Sequence, residues 1–176
     1  MSRSAEQPGS SKRQRDVLLD QVGVAYILCE DTAERLKLPD RHRALVNVLQ
    51  NAVEAGAHVI SLAFPKAADA TAVLNNLRTT LELLTSKASV EFGFNSANVG
   101  ALIIFYRNSG ISLVKQMQMD PEGGLPALAM RFEVAFGGVD VVCEFWPQSL
   151  PWRVPRRILA SYIERLGNPD HASVAP

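Results

Sequence analysis

The sequence predicts a single α+β domain in which helices come first and a mainly antiparallel sheet of about five to six strands follows, with a C-terminal helix. Apolar residues recur at helical spacing over much of residues 12–86, whereas from Val90 onward they alternate with a period of two. The chain has 176 residues, of which 47% are apolar, so it can bury the core of one domain.

We expect residues 1–11 and 168–176 to be disordered, because both stretches are polar and contain proline and small residues. Residues 12–167 are expected to form the domain, since no repeat and no long linker interrupts them.

Three helices and one strand are predicted before Val90. A long helix over residues 12–38 would place its apolar residues on one face, namely Leu18, Val22, Ala25, Cys29, Ala33 and Leu36. Pro39 ends that helix, and a second runs from Asp40 to Gly56, with Gly56 as a left-handed residue at its end. The run from His58 to Phe64 predicts a buried strand, and a third helix follows over residues 66–86.

The second half predicts strands at about 90–94, 98–107 and 111–119, with residues 108–110 as a three-residue hairpin loop. A further hairpin is expected around Gly137-Gly138, with these two residues as the turn. That register pairs Phe132 with Cys143 on an apolar face and Arg131 with Glu144 on a charged face.

A final helix is expected to begin near Pro155 and to end at Gly167. The order of these elements over residues 12–146 resembles, in topology only, the cone-shaped NTF2-like folds. That class contains enzymes, ligand carriers and scaffolds, so the resemblance implies no residue roles.

The bulk composition narrows the classes of function. The formal net charge is zero, which is unusual for a dedicated nucleic-acid-binding domain, so we expect nucleic acid not to be the main partner. No run of about 20 apolar residues predicts a membrane helix, and the N-terminus lacks the apolar segment of a signal peptide. Two widely spaced cysteines suit a reducing cytoplasm.

No motif predicts a catalytic group, a metal site or a cofactor. Cys29 and Cys143 both fall on apolar faces and are interpreted as core residues. His58 is either a general base at a strand edge or a histidine hydrogen-bonded to the backbone. The carboxylates Glu133, Asp140 and Glu144 share one sheet face, which we interpret as solvated.

The strongest candidate for surface recognition is the segment that combines one indole with three arginines: Trp152, Arg153, Arg156 and Arg157. Our leading hypothesis is therefore a non-catalytic cytoplasmic adaptor, chaperone or regulator that binds a protein partner, a second copy of itself as a homodimer, or both.

Two alternatives remain open at this point. The first is a small-molecule carrier or enzyme with a cavity between the third helix and the apolar sheet face, lined by His58, Phe105, Met117, Met119 and Phe132. The second is weak nucleic-acid binding through residues 12–15 and 153–157.

Overall fold

The structure, a computed structural model, describes residues 22–88, 90, 92–119, 127–135 and 137–144. In this part of the chain the strands are β1 (Val24–Leu28), β2 (Val59–Ala63), β3 (Phe94–Val99), β4 (Leu102–Arg107), β5 (Ser112–Met119), β6 (Ala127–Val134) and β7 (Gly137–Glu144). The helices are α1 (Pro39–Glu54) and α2 (Ala67–Lys87), and a short 3-10 turn spans Arg35–Lys37.

The strand β1 lies where the sequence predicted a long helix, so that prediction is wrong for residues 24–28, and residues 12–21 lie outside the described part. β1 pairs in parallel with β2, from Val24 opposite Val59 to Leu28 opposite Ala63. Residues four apart share a face in a strand as well as in a helix, so the spacing of Ala25 and Cys29 fits both. The parallel partner supplied by the α1 crossover therefore decides the conformation.

The strands form two sheets and not the single sheet that was predicted. The first sheet has the order β1-β2-β4-β3 and the second has the order β5-β6-β7. β4 and β5 lie in different sheets, so Asn108 to Gly110 carry the chain between sheets and do not close a hairpin. The α+β arrangement with helices first and the NTF2-like topology are therefore both wrong.

The two helices that follow β1 agree closely with their predicted bounds. α1 ends in a Schellman motif, because the N–H of Gly56 donates to the Val53 carbonyl and the N–H of Ala57 donates to the Ala52 carbonyl. Gly56 has a φ of 78°, which confirms the predicted left-handed residue. Neither described helix is long and apolar enough to cross a membrane.

The core lies on both faces of the first sheet, which separates two apolar clusters. One cluster lies between that sheet and the helices and includes Leu49, Ile60, Leu62, Phe64, Leu81 and Phe105. The other lies between the two sheets and includes Val59, Leu102, Ile104, Leu128, Met130 and Phe132. The described architecture is thus helices, mixed sheet and antiparallel sheet in three layers.

The hairpin of β6 and β7 keeps the predicted faces but has a different register. Phe132 lies opposite Val139, and Arg131 lies opposite Asp140, four residues from the predicted partners on β7, because Gly137 and Gly138 belong to β7 and are not the turn. Alternation determines only which face a side chain occupies, and a shift by an even number of residues, here four, leaves the faces unchanged. Cys143 is accordingly buried, as predicted, although its partner is Leu128.

The predicted final helix from Pro155 lies outside the described residues.

Candidate functional site

The side chains predicted to line one cavity lie in different layers. Phe105 packs against the helices, whereas Phe132 lies between the sheets, where its ring centroid is 5.7 Å from that of Tyr106. Met117 lies opposite Ala129 on the face of the second sheet that carries Arg131, because a bulge after Leu113 reverses the alternation of β5. No shared cavity of these residues is found in the described part of the chain.

Two other predicted features cannot be placed. The side chain of Met119 is not among those described. The segment with Trp152, Arg153, Arg156 and Arg157 also lies outside the described residues, so its role in partner binding stays a prediction.

His58 lies at the amino end of β2, and its Nδ1 accepts a hydrogen bond of 2.8 Å from the backbone N–H of Gly23. Burial lowers the pKa of His58, and the positive charge of Arg107 lowers it further. Arg107 itself donates from Nε to the Ala57 carbonyl at 3.0 Å. The imidazole therefore fastens the start of β1 to β2, which matches the backbone-bonded interpretation of this histidine.

The opposite edge of the first sheet carries the best candidate for a site. β1 and β2 are the one parallel pair among the described strands, so their carboxyl ends lie side by side. Ligands of open α/β sheets bind outside the carboxyl ends of the strands. Here Asp31 follows β1, while Lys66 and Asp69 follow β2.

Asp31 lies between two arginines at this edge. Its Oδ1 is 3.3 Å from Nε of Arg35, and its Oδ2 is 3.8 Å from a terminal nitrogen of Arg41. The Asp31 side chain is 19% exposed, whereas those of Arg35 and Arg41 are 54% and 52% exposed. A guanidinium has five N–H donors, so each arginine retains donors for a second anion.

Asp69 joins the two strand ends from the first turn of α2. Its Oδ1 accepts a hydrogen bond of 2.8 Å from the N–H of Ala33. Its Oδ2 is buried and has no hydrogen-bond partner within the described structure. Burying a carboxylate oxygen without a hydrogen-bond partner costs free energy, and buried oxygens of this kind are common at functional sites.

Cys29 is the buried neighbour of these carboxylates. Burial raises the pKa of its thiol, the S–H contact with the Asp31 carbonyl at 3.7 Å opposes this, and the charges of Asp31 and Asp69 raise it further. A thiol in this environment is a poor nucleophile at neutral pH.

Two cavities flank the 3-10 turn beside this edge. The smaller, about 250 Å³, runs between β1 and α1 and includes Asp31 and Arg41. The larger, about 480 Å³, lies between the turn and α2. Leu36 and Leu45 line both cavities and separate them.

No three His, Cys, Asp or Glu side chains converge as a metal ion would require, as far as the described residues extend. The charged face of the second sheet offers a different arrangement, since Arg131 donates two hydrogen bonds of 2.6 Å to Asp140. That bidentate pair engages both oxygens of Asp140, whereas Oδ2 of Asp69 has no partner among the described residues, so the strand ends of the first sheet are the candidate site.

Sequence reasoning missed Asp31 and Arg35 because it placed residues 12–38 in a helix. Without β1, nothing placed Arg41 and Asp69 beside them. The available signal was the apolar run Val24 to Cys29 followed directly by Glu30 and Asp31, which is typical of a strand that ends in a polar loop.

No protein-family model matches the sequence. No curated protein sequence matches it either. Among solved structures, the chain is similar to a crystal structure of D. rerio TDP2 complexed with single strand DNA product, with a TM-score of 0.51 and 12% identity. This match covers 81% of the chain and 54% of the TDP2 chain, so the sequence spans about half the length of that structure.

Two further similar structures have lower TM-scores. A humanized D. rerio TDP2 has a TM-score of 0.47 and 13% identity, and the match covers 82% of this chain and 55% of that chain. TDP2 from C. elegans has a TM-score of 0.44 and 8% identity, and the match covers 78% of this chain and 40% of that chain.

The match with D. rerio TDP2 shows the fold, and it corrects our functional hypothesis. The similar TDP2 chain was crystallised with a single strand DNA product, which contradicts our hypothesis of a non-catalytic adaptor and our expectation that nucleic acid is not the main partner, and neither is retained. The predicted homodimer has no support.

Proposed function

We propose that the chain binds and processes phosphoesters, with nucleic acid as the substrate class, at the carboxyl edge of β1 and β2. The observation that carries the proposal is the arrangement of Arg35 and Arg41 around Asp31. The guanidinium donors that Asp31 leaves unused are exposed, and their planar arrangement matches the geometry of a phosphate.

The chemistry of phosphoester hydrolysis fits such a site. A water oxygen forms the new bond to phosphorus, the bond between phosphorus and the leaving oxygen breaks, and the leaving oxygen takes up a proton. Positive groups around the phosphate stabilise the charge that develops in the transition state. Arg35 and Arg41 can supply this charge, and the carboxylates of Asp31 and Asp69 are the candidate proton acceptors.

The fold supports the proposal without deciding it, since one fold serves many functions. The DNA product bound to D. rerio TDP2 makes single-stranded DNA the first substrate to test. We also propose a cytoplasmic location, because Cys29 and Cys143 form no disulfide, as is usual in a reducing compartment.

The test measures binding of a labelled single-stranded oligonucleotide by fluorescence anisotropy at low salt, and cleavage of the same oligonucleotide on a gel. We expect Arg41→Gln and Arg35→Gln each to weaken binding by about tenfold, since a charged phosphate contact contributes roughly 1–2 kcal/mol. Arg43→Gln, an equal change of charge on an exposed neighbour in α1, is the matched control and should change binding by less than about twofold.

Equal losses in all three variants would show non-specific attraction to a positive surface. That result, or the absence of any binding by the unmodified chain at low salt, would contradict the proposed site.

A further inference from the structure

The larger cavity has the size and floor of a small-molecule site. Its volume of about 480 Å³ falls in the range of ligand pockets. Its floor is apolar and buried, and consists of Leu36, Leu45, Val73 and Leu77. A flat apolar group placed on this floor would lose its contact with water on one side.

The rim of the same cavity determines the charge of the ligand. Nζ of Lys37 lies 2.6 Å from Oε1 of Glu34, so the two charges on the rim already neutralise one another. The remaining polar side chains are His42 and Asn76. An amide both donates and accepts hydrogen bonds, so Asn76 suits an uncharged ligand edge that does the same.

The position of the cavity relates it to the phosphate-binding groups. Leu36 and Leu45 form a wall that it shares with the smaller cavity, on whose rim Asp31 and Arg41 lie. A ligand that spans this wall would place one group near the arginines and another on the apolar floor.

We infer that the larger cavity binds an uncharged planar heterocycle with an amide-like edge, such as a pyrimidine or purine base. This inference rests on the proposed function, because it adds a base to the phosphoester that the arginines hold. A purely aliphatic ligand would cover the polar rim without forming hydrogen bonds to it. An anionic ligand would gain no net attraction from the rim, because the charges of Lys37 and Glu34 cancel.

The experiment titrates the full chain with uridine and adenosine, which carry no phosphate, up to about 10 mM by isothermal calorimetry and NMR. Ala72→Trp fills the cavity with an indole, and Asn76→Leu removes the amide from its rim. Thr79→Trp places the same indole on an exposed position of α2 outside the cavity and serves as the control. Circular dichroism and thermal unfolding establish that each variant is folded.

We expect nucleoside affinity to fall at least about tenfold in Ala72→Trp, to fall about threefold or more in Asn76→Leu, and to change less than about twofold in Thr79→Trp. The absence of nucleoside binding at the highest concentration would overturn the inference. So would equal binding by the unmodified chain and the folded Ala72→Trp variant.

The same titrations separate this inference from the proposed function. If Arg41→Gln weakens oligonucleotide binding while Ala72→Trp leaves nucleoside binding unchanged, the phosphate site stands and the base cavity is refuted. If Ala72→Trp abolishes nucleoside binding while Arg41→Gln and Arg35→Gln leave oligonucleotide binding unchanged, the cavity stands and the phosphate site is refuted.

Discussion

The backbone N–H of Gly23 donates a hydrogen bond of 2.8 Å to Nδ1 of His58. The carbonyl of Gly23 in turn accepts hydrogen bonds from the N–H groups of His58 and Val59, at 2.8 and 3.1 Å. This exchange fixes the register of β1 against β2 and thereby places Asp31 beside the end of β2. The candidate site at the carboxyl ends of β1 and β2 therefore depends on a hydrogen-bonded contact at their amino ends.

The neutral imidazole of His58 makes the stability of the fold depend on pH. Burial, followed by the charge of Arg107, lowers the pKa of His58 below its ordinary 6.5, so the unfolded chain binds a proton more readily than the folded one. The contribution of neutral His58 is fully present above about pH 6.5 and is lost as the pH falls toward the folded-state pKa.

We expect the unfolding free energy to decrease from about pH 7.5 to about pH 5.5, and to decrease less in His58→Gln, because glutamine has no proton to gain. Chemical denaturation at both pH values measures this difference. His42→Gln, which removes an exposed imidazole from α1, serves as the control for a lost histidine. An unchanged pH dependence in His58→Gln would refute the role of this histidine.

The pair of Arg131 and Asp140 tests the register of the second sheet. The two side chains are 32% and 19% exposed and form two hydrogen bonds of 2.6 Å, so we expect Asp140→Asn to lower the unfolding free energy by about 0.5–1 kcal/mol. Glu133→Gln, on an exposed position of the same face, should cost less than about half of that. In a double-mutant cycle with Arg131→Gln, the coupling free energy between the two side chains should account for most of the loss in Asp140→Asn. A coupling free energy of zero would contradict the observed register.

The hydrogen bond from Ala33 to Asp69 holds the loop after β1 against α2. Asp69→Ala removes the acceptor and should lower the unfolding free energy by about 1–2 kcal/mol, whereas Asp69→Asn retains an acceptor oxygen and should cost less than half as much. Hydrogen exchange at Ala33 gives a local measurement of the same contact. Equal protection of Ala33 in the unmodified chain and in Asp69→Ala would count against it.

The thiol of Cys29 should react slowly with alkylating reagents in the folded chain. Burial raises its pKa, and only the thiolate reacts readily, so we expect its alkylation at neutral pH to be at least about tenfold slower than in urea. Peptide mass spectrometry distinguishes Cys29 from Cys143, which is also buried. Rapid alkylation of Cys29 in the native state would show that this edge of the sheet is open.

The sequence predicted α1, α2 and β2 closely because each has a strong local pattern and clear end signals, such as Pro39 and Gly56. It did not predict β1, whose apolar spacing fits two periods and whose conformation depends on a partner 35 residues away. The separation into two sheets could not be predicted either, because apolar and polar residues do not alternate along β4. Leu102 to Phe105 are all buried, with the helices on one side and the second sheet on the other.

The candidate site was not predicted because β1 was not predicted. When Asp31 is assigned to a helix, the sequence gives no reason to place its carboxylate near that of Asp69. His58 shows the opposite case, since its interpretation as a backbone-bonded histidine followed from its position at the start of a strand.

The most direct test of the phosphoester site is an NMR titration of the isotope-labelled chain with a single-stranded tetranucleotide at low salt. The account predicts saturable shifts that are largest at the backbone amides of residues 29–35 and 66–70, and small shifts at residues 130–134 of β6. The largest shifts on β6, or no saturable shift at the carboxyl edge of β1 and β2, would contradict it.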